Sequence, residues 1–175
     1  MTQIRYFAED IQRMLGRNKI RILHIWLSRT FAGVFLYRLE RSLFLVFGKA
    51  YGYLRIPLIP IFNIIQAYSN IDIHYKSNIK GGISILHSSV GCVISGKAKI
   101  GRNLTVTGGN IIGINKKGGE SDFIIGNNCS LGANATIVGP LILSDNIIIG
   151  ASACVVKDCL IDGAILIGVP AQVTN

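Results

Sequence analysis

An aliphatic residue falls at every sixth position of the carboxy-terminal part of the chain. The series is Ile125, Leu131, Ile137, Leu143, Ile149, Val155, Ile161 and Ile167. An amphipathic strand repeats every two residues and a helix every three to four, so a period of six fits neither. The period indicates a repeat architecture in which each hexad forms one short strand and one tight corner.

Three hexads predict one triangular coil, with the aliphatic residues pointing to the axis and small residues at the corners. Glycine follows the aliphatic residue at Gly126, Gly132, Gly150 and Gly168. Stacked parallel strands lie about 4.8 Å apart, so equivalent positions of successive coils form aliphatic columns. The sequence therefore predicts a mainly β fold, a parallel β-helix of about five coils.

The period continues upstream with two breaks in phase. The first break lies between Ile85 and Ile94 and contains His87. The second lies between Ile112 and Ile125 and contains a glycine-rich, charged segment. Such breaks are predicted to be outward loops, and loops on a rigid scaffold often carry function.

Composition changes near residue 70. Residues 1–70 contain twelve of the fourteen aromatic residues, and ten Lys and Arg against three Asp and Glu. Residues 71–175 contain eight Lys and Arg against six Asp and Glu. We predict an α-helical, basic and aromatic N-terminal region over residues 1–70 and a β-helix domain over residues 71–175.

The N-terminal region has no uncharged apolar run long enough for a spanning helix. Aromatic residues alternate there with arginines such as Arg29 and Arg38. This mixture favours helices at a lipid interface, so we expect residues 20–60 to attach the protein peripherally to an anionic membrane. The alternative is a helical cap on the solenoid end, with solvated arginines. Nucleic acid is not expected, because the charges are interspersed with large aliphatic residues.

The sequence contains neither a signal-peptide pattern nor a metal-binding pattern of cysteines. Glu9, Asp10 and Arg13 interrupt any apolar core of a signal peptide, which predicts a cytoplasmic protein, placed by the expected lipid attachment at the inner face of the bacterial membrane. The four cysteines have no metal-like spacing and no histidine neighbours, and are interpreted as reduced packing residues. No metal is expected.

Four segments together resemble a known family. They are Ile71-Asp72-Ile73-His74, the segment ILHSSVGCVI from residue 85, Gly132-Ala133-Asn134-Ala135 and Gly168-Val169-Pro170-Ala171. These segments look like the DIH, DHxxGxVI and closing GVPA motifs of the hexapeptide-repeat acyltransferases, serine acetyltransferase-like branch. The resemblance covers about residues 70–173 and implies a left-handed β-helix. The N-terminal region is similar in composition to the shorter members found in bacterial polysaccharide clusters.

The resemblance implies an enzyme that transfers acetyl from acetyl-CoA to a hydroxyl group. His87 takes the position of the general base, and Asp72 that of the carboxylate that orients it. The family transfers the acetyl group directly, so no acyl-enzyme is expected.

The resemblance also implies a homotrimer that binds acetyl-CoA between adjacent solenoids. Gly113, Ala133 and Ala151 match the family's cofactor contacts, where a small side chain permits close approach. The candidates for the CoA phosphates are the nearby Lys157 and the basic loop Lys116-Lys117.

The acceptor site departs from the serine enzymes. They precede the catalytic histidine with aspartate, where this chain has Leu86, and they carry an arginine-histidine pair where it has Ser121 and Asp122. Without these groups the charges of an amino acid would be poorly compensated. Ser121, Asp122 and His74 are therefore predicted to contact a sugar hydroxyl of a cell-surface polysaccharide or its lipid-linked precursor. The alternatives are a serine O-acetyltransferase of cysteine biosynthesis and a non-catalytic solenoid that binds other proteins.

Overall fold

The computed structural model describes residues 2–16, 19–115 and 123–174, and helices come first. The α-helices are α1 (Thr2–Leu15), α2 (Arg29–Phe47), α3 (Tyr51–Leu54) and α4 (Ile59–Ser69). Short 3₁₀ turns lie at Lys19–Leu23, Ile25–Leu27, Gly48–Ala50 and Ile56–Leu58. The chain changes from helix to strand after α4.

Fifteen short strands follow in the described residues. They are β1 (Ile71–Ile73), β2 (Asn78–Ile79), β3 (Ser84–Ile85), β4 (Cys92–Ile94), β5 (Lys99–Ile100), β6 (Thr105–Val106), β7 (Asn110–Ile114), β8 (Phe123–Ile125), β9 (Ser130–Leu131), β10 (Thr136–Gly139), β11 (Leu141–Leu143), β12 (Ile148–Ile149), β13 (Cys154–Val155), β14 (Ile165–Ile167) and β15 (Gln172–Thr174).

The strands form the three faces of a solenoid. Face 1 contains β1, β4, β7, β10 and β13, and face 2 contains β2, β5, β8 and β11. Face 3 contains β3, β6, β9, β12, β14 and β15. Neighbouring strands are parallel except β14 and β15, which are antiparallel. The predicted parallel β-helix, preceded by helices, is confirmed.

The pairing register locates the two phase breaks. Cys92 pairs with Asn110, an offset of 18 residues and thus one regular coil. Ile71 pairs with Cys92, an offset of 21, and Val106 pairs with Leu131, an offset of 25. The three extra residues of the first coil fit the loop between β3 and β4. The seven extra residues fit the segment between β7 and β8, so both breaks are confirmed.

The last coil is shorter than the hexad period predicts. Ile149 pairs with Leu166, an offset of 17 residues, so Leu166 takes the axial position and is 3% exposed. Ile161 and Ile167 were expected to point inward but are 60% and 48% exposed. The prediction for these two residues is wrong, because a shortened coil moves every later position out of phase.

Three aliphatic columns fill the axis. The columns are Ile73, Ile94, Ile112, Ile137 and Val155 on face 1, Ile79, Ile100, Ile125 and Leu143 on face 2, and Ile85, Val106, Leu131 and Ile149 on face 3. None of these side chains is more than 4% exposed. Complete burial of one such side chain contributes about 1.5–3 kcal/mol.

A ladder of asparagines forms the corner between faces 2 and 3. Asn103, Asn128 and Asn146 have positive φ angles of 61°, 57° and 59°, which asparagine tolerates better than most residues. The Asn103 side-chain amide donates to Asn128 Oδ1 at 3.0 Å, and the Asn128 amide donates to Asn146 Oδ1 at 3.1 Å. The ladder thus fixes the turn and joins successive coils.

Helix α2 covers the first coil. Tyr37, buried in the solenoid core, accepts a hydrogen bond at its hydroxyl from Ile79 N at 3.1 Å and donates to Ser77 O at 3.1 Å. Thr30 Oγ1 donates to Ile85 O at 3.2 Å. The described residues form no strand before the first coil, so its edge groups are bonded by side chains of α2 instead.

A buried ion pair ties α1 and α2 to the same coil. Arg38 Nε lies 2.8 Å from Asp10 Oδ2, and these residues are 3% and 0% exposed. Asp10 Oδ1 accepts from Gly82 N at 2.7 Å and Ile83 N at 2.9 Å, while Arg38 donates to Ile79 O at 2.7 Å. Burial raises the pKa of Asp10, and the hydrogen bonds from Arg38 oppose that rise.

Among the described residues, no single helix has the length and apolar composition needed to cross a membrane. Arg29–Leu54 and Ile56–Ser69 meet that requirement only when taken together, and they are bent by 77° at the break between them.

Candidate active site

His87 lies at the corner between faces 3 and 1. It follows β3, and its backbone N–H donates to Thr107 O in the next coil at 2.8 Å. The loop ends at Gly91, whose φ of 90° favours glycine. The imidazole is exposed and forms no hydrogen bond with another described residue. It is therefore open to a ligand bound at this corner, as a general base must be.

Asp72 lies on the outer side of β1, near the same corner. Its Oδ1 accepts a hydrogen bond from Gln66 Nε2 at 3.4 Å. Asn70 Nδ2 donates to Ser89 O at 2.9 Å, which ties the start of β1 to the His87 loop. In the described part of the chain, no hydrogen bond or ion pair joins Asp72 to His87. The orienting role of Asp72 stays a prediction.

Ala133 and Ala151 occupy the same corner in later coils. Ser152 N donates to Ala133 O at 2.8 Å, so these two turns stack directly. The backbone N–H groups of Ala133 and Ala151 donate to none of the described residues. Stacked coils space such groups about 4.8 Å apart. We call the stacked N–H groups of Ala133 and Ala151 the corner column. These donors can bind the amide carbonyls of an extended ligand such as pantetheine.

Gly113 and Lys157 lie elsewhere on face 1. Gly113 is in β7, pairs with Val138 and is half-buried, and a Cβ atom there would lie 3.6 Å from the nearest heavy atom, Ile111 Cγ2. Lys157 is exposed and follows β13, at the edge of face 1 opposite the His87 corner. These two cofactor contacts stay predictions, and Lys116 and Lys117 lie outside the described residues.

Of the three residues predicted to bind the acceptor, the structure describes one, His74. Ser121 and Asp122 lie outside the described residues. His74 follows β1 at the edge between faces 1 and 2, stacks on the Tyr75 ring at 4.5 Å and accepts from Lys76 N at Nδ1. Burial lowers the pKa of His74, which favours the neutral ring. Its role in substrate binding stays a prediction.

Cys92 lies five residues after His87 but is a poor nucleophile. Its side chain is 2% exposed, and burial, with a smaller effect of the Asp72 charge, raises the pKa of Cys92 to about 12. Very little thiolate exists at neutral pH under these conditions. The described residues contain no group of three or more metal-ligating side chains.

A cavity beside His87 was not predicted from the sequence. Its volume is about 520 Å³, and it lies between the N-terminal segment and β3. Arg21, Ser28 and Thr30 line one side, and Leu86 and His87 the other. In the described part of the chain, Arg21 forms no ion pair, and its side chain is exposed. Only the folding of the helices onto the solenoid brings these groups together, so no sequence signal marks them.

No protein-family model and no curated protein sequence matches the chain, but solved structures do. The serine acetyltransferase of Neisseria gonorrhoeae is similar, with a TM-score of 0.79 and 23% identity over 99% of this chain and 66% of that chain. For the soybean serine acetyltransferase apoenzyme the TM-score is 0.78, with 24% identity over 99% of this chain and 69% of that chain. For the Brucella abortus serine acetyltransferase in complex with coenzyme A the TM-score is 0.75, with 20% identity over 97% of this chain and 66% of that chain.

The chain spans about two thirds of the length of these proteins. A second structure of the Neisseria enzyme, in complex with serine, is also similar, with a TM-score of 0.76 and 22% identity over 97% of this chain and 68% of that chain. At this level of identity the likeness establishes the fold, and it confirms the expected handedness. The chain therefore has the fold of the serine acetyltransferases, a left-handed parallel β-helix with helices at its amino-terminal end.

Proposed function

We propose that the protein is an acetyl-CoA-dependent O-acetyltransferase with His87 as general base. The observation that carries this proposal is the corner between faces 3 and 1. There an exposed imidazole shares one stacked edge with the N–H groups of Ala133 and Ala151, which donate to none of the described residues. A base and a thioester ligand can thus lie side by side, in a fold shared with enzymes solved with coenzyme A and with serine.

The reaction requires one proton transfer in each direction. His87 takes the proton of the acceptor hydroxyl as its oxygen attacks the thioester carbonyl, and a C–O bond forms. The tetrahedral intermediate then collapses, the C–S bond breaks, and the imidazolium returns the proton to the departing thiolate of coenzyme A. Asp72 holds the imidazole in one tautomer once the ring turns toward face 1. The buried thiol of Cys92 has no part in this scheme.

We further propose that the active unit is a homotrimer. Asp72 pairs with Val93 and Val93 with Ile111, which places the three in one row on the outer side of face 1. Val93 and Ile111 are 44% and 46% exposed. A neighbouring chain on face 1 would cover this apolar row and close a cleft over the corner that binds acetyl-CoA.

Light scattering of the wild type is expected to give the mass of three chains at micromolar concentration. Ile111→Glu places a charge in the covered row and should yield monomers with low turnover. Leu160→Glu is the matched control, because Leu160 is exposed in the loop after β13, outside that row, and this variant should remain trimeric. A monomeric wild type with full activity would contradict the trimer.

Serine is the acceptor that the structural likenesses support best. The similar structures are serine acetyltransferases, and the Neisseria and soybean enzymes have both been solved in complex with serine. Leu86 is the observation that favours the second candidate, a sugar hydroxyl in a polysaccharide or its lipid-linked precursor. It is 56% exposed beside His87 and supplies no carboxylate for an ammonium group. Serine bound here would lack that ion pair.

Thiol release from acetyl-CoA, measured with serine and with a panel of glycans, tests the acceptor. We expect release with serine, and Leu86→Asp should raise kcat/KM for serine about 10-fold or more, because a hydrogen bond to a charged group contributes about 1.5–3 kcal/mol. Val90→Asp is the control, because it adds the same charge to the same exposed loop, and it should not raise kcat/KM for serine. Thiol release with glycans and not with serine would identify a sugar hydroxyl as the acceptor. Failure of every acceptor would favour the non-catalytic solenoid.

A further inference from the structure

One apolar surface of the helical region is left uncovered by the residues that the structure describes. It is formed by Trp26, Leu27, Ile61, Ile64 and Tyr68, and we call it the helical patch. Their exposed fractions run from 50% at Tyr68 to 70% at Ile64. Side chains of this size are normally more buried in a soluble domain, so a continuous group of them indicates an interaction surface.

A direct contact joins the two elements that form the helical patch. The Tyr68 hydroxyl donates to Leu27 O at 2.8 Å, which joins α4 to the 3₁₀ turn Ile25–Leu27. Ile61, Ile64 and Tyr68 follow the i, i+3, i+7 spacing of one helix face. The Arg29 guanidinium lies 5.9 Å from the centre of the Tyr68 ring and adds a positive charge to the border of the patch.

The segment that carries the helical patch, residues 19–69, has exposed charges of one sign. Between residues 19 and 69 the chain contains a single carboxylate, that of Glu40. Glu40 is 1% exposed, accepts a hydrogen bond from the Tyr51 hydroxyl at 3.0 Å and is paired with Arg55. The exposed ionised side chains of this stretch are therefore all cationic.

This charge pattern decides between two occupants. A second copy placed symmetrically on the same surface would bring like charges together, since such an interface repeats one patch on both sides. An anionic bilayer supplies both negative charge and an apolar layer. The indole N–H of Trp26 donates to Leu23 O at 2.9 Å while the residue is 59% exposed, and rings of this kind are enriched at membrane interfaces. We propose that the helical patch docks the protein on the surface of an anionic bilayer.

Flotation of the full chain with vesicles tests this proposal. At low salt the wild type should float with vesicles of phosphatidylcholine containing about one third phosphatidylglycerol, and should remain at the bottom with phosphatidylcholine alone. Ile64→Glu should reduce the floating fraction about 10-fold. Leu160→Glu is matched to it, because both side chains are 70% exposed, and should float like the wild type. Circular dichroism checks that both variants are folded.

Three outcomes would overturn the docking of the helical patch on a bilayer. The first is a wild type that stays at the bottom with anionic vesicles, and the second is equal flotation of Ile64→Glu and Leu160→Glu. The third is self-association that Ile64→Glu abolishes without any flotation, which would assign the helical patch to a second copy. Acetyl transfer to a soluble acceptor does not require the bilayer, so any of these failures would leave the proposed enzyme intact.

Discussion

Asp10→Ala is expected to lower the free energy of unfolding by about 3–5 kcal/mol, the usual cost of removing one partner from a buried ion pair. The substitution leaves the Arg38 guanidinium, 3% exposed, without its counter-charge. It also removes the acceptor of the Gly82 and Ile83 N–H groups. Typical domains have only about 5–15 kcal/mol in total, so much of the stability would be lost.

Urea denaturation of Asp10→Ala, followed by circular dichroism, measures this effect. Arg5→Ala is the matched control on the same helix, because the Arg5–Glu9 pair has side chains 77% and 24% exposed. An exposed i,i+4 pair contributes only about 0.3–0.5 kcal/mol. Equal midpoints for the two variants would contradict the anchoring of α1 and α2 on the first coil through Asp10.

His87→Ala is expected to lower kcat by about 100-fold or more, the usual contribution of a positioned general base. Affinity for acetyl-CoA should change little, because the proposed acetyl-CoA site consists of backbone groups of other coils, those of Ala133 and Ala151. Thiol release measures turnover, and calorimetry measures acetyl-CoA binding. Asp72→Asn should reduce kcat less, since the role proposed for Asp72 is to orient the His87 imidazole.

His24→Ala is the control for His87→Ala. His24 is exposed, and its side chain has no role in the proposed site. This variant should retain wild-type turnover. Near-normal turnover of His87→Ala would show that the base has been assigned to the wrong residue.

The solenoid was predictable because its signal is local. One aliphatic residue per hexad is enough to place Ile137 or Leu131 on the axis, and a change of phase marks a loop without any knowledge of distant contacts. The prediction failed at Ile161 and Ile167, where the pattern continues in the sequence but the coil is shorter. A period cannot report a coil length that pairing with the previous coil decides.

The helical region shows where sequence patterns give less information. Its helices and basic character were predicted, and Arg38 was grouped with arginines expected at a lipid interface or in solvent. The structure corrects this for Arg38, which is buried against Asp10, 28 positions away. Nothing in the local pattern distinguishes such an arginine from Arg29, which is exposed.

The candidate site also has a part that the sequence predicts and a part that it does not. His87 was predicted because a motif and a phase break coincide there. Its cavity could not be predicted, because Arg21 and Thr30 reach it only through the packing of the N-terminal segment on β3. Its geometry relative to Asp72 depends on side-chain rotation, which spacing does not determine.

The cover on the first coil also limits how the protein can polymerise. An uncovered strand edge is a template on which another chain can add a strand, and stacked coils would extend such growth into fibres. Here Tyr37 and Arg38 bond the backbone of Ile79 on β2, and Thr30 bonds that of Ile85 on β3. Head-to-tail growth from this end is therefore blocked for as long as α2 remains in place.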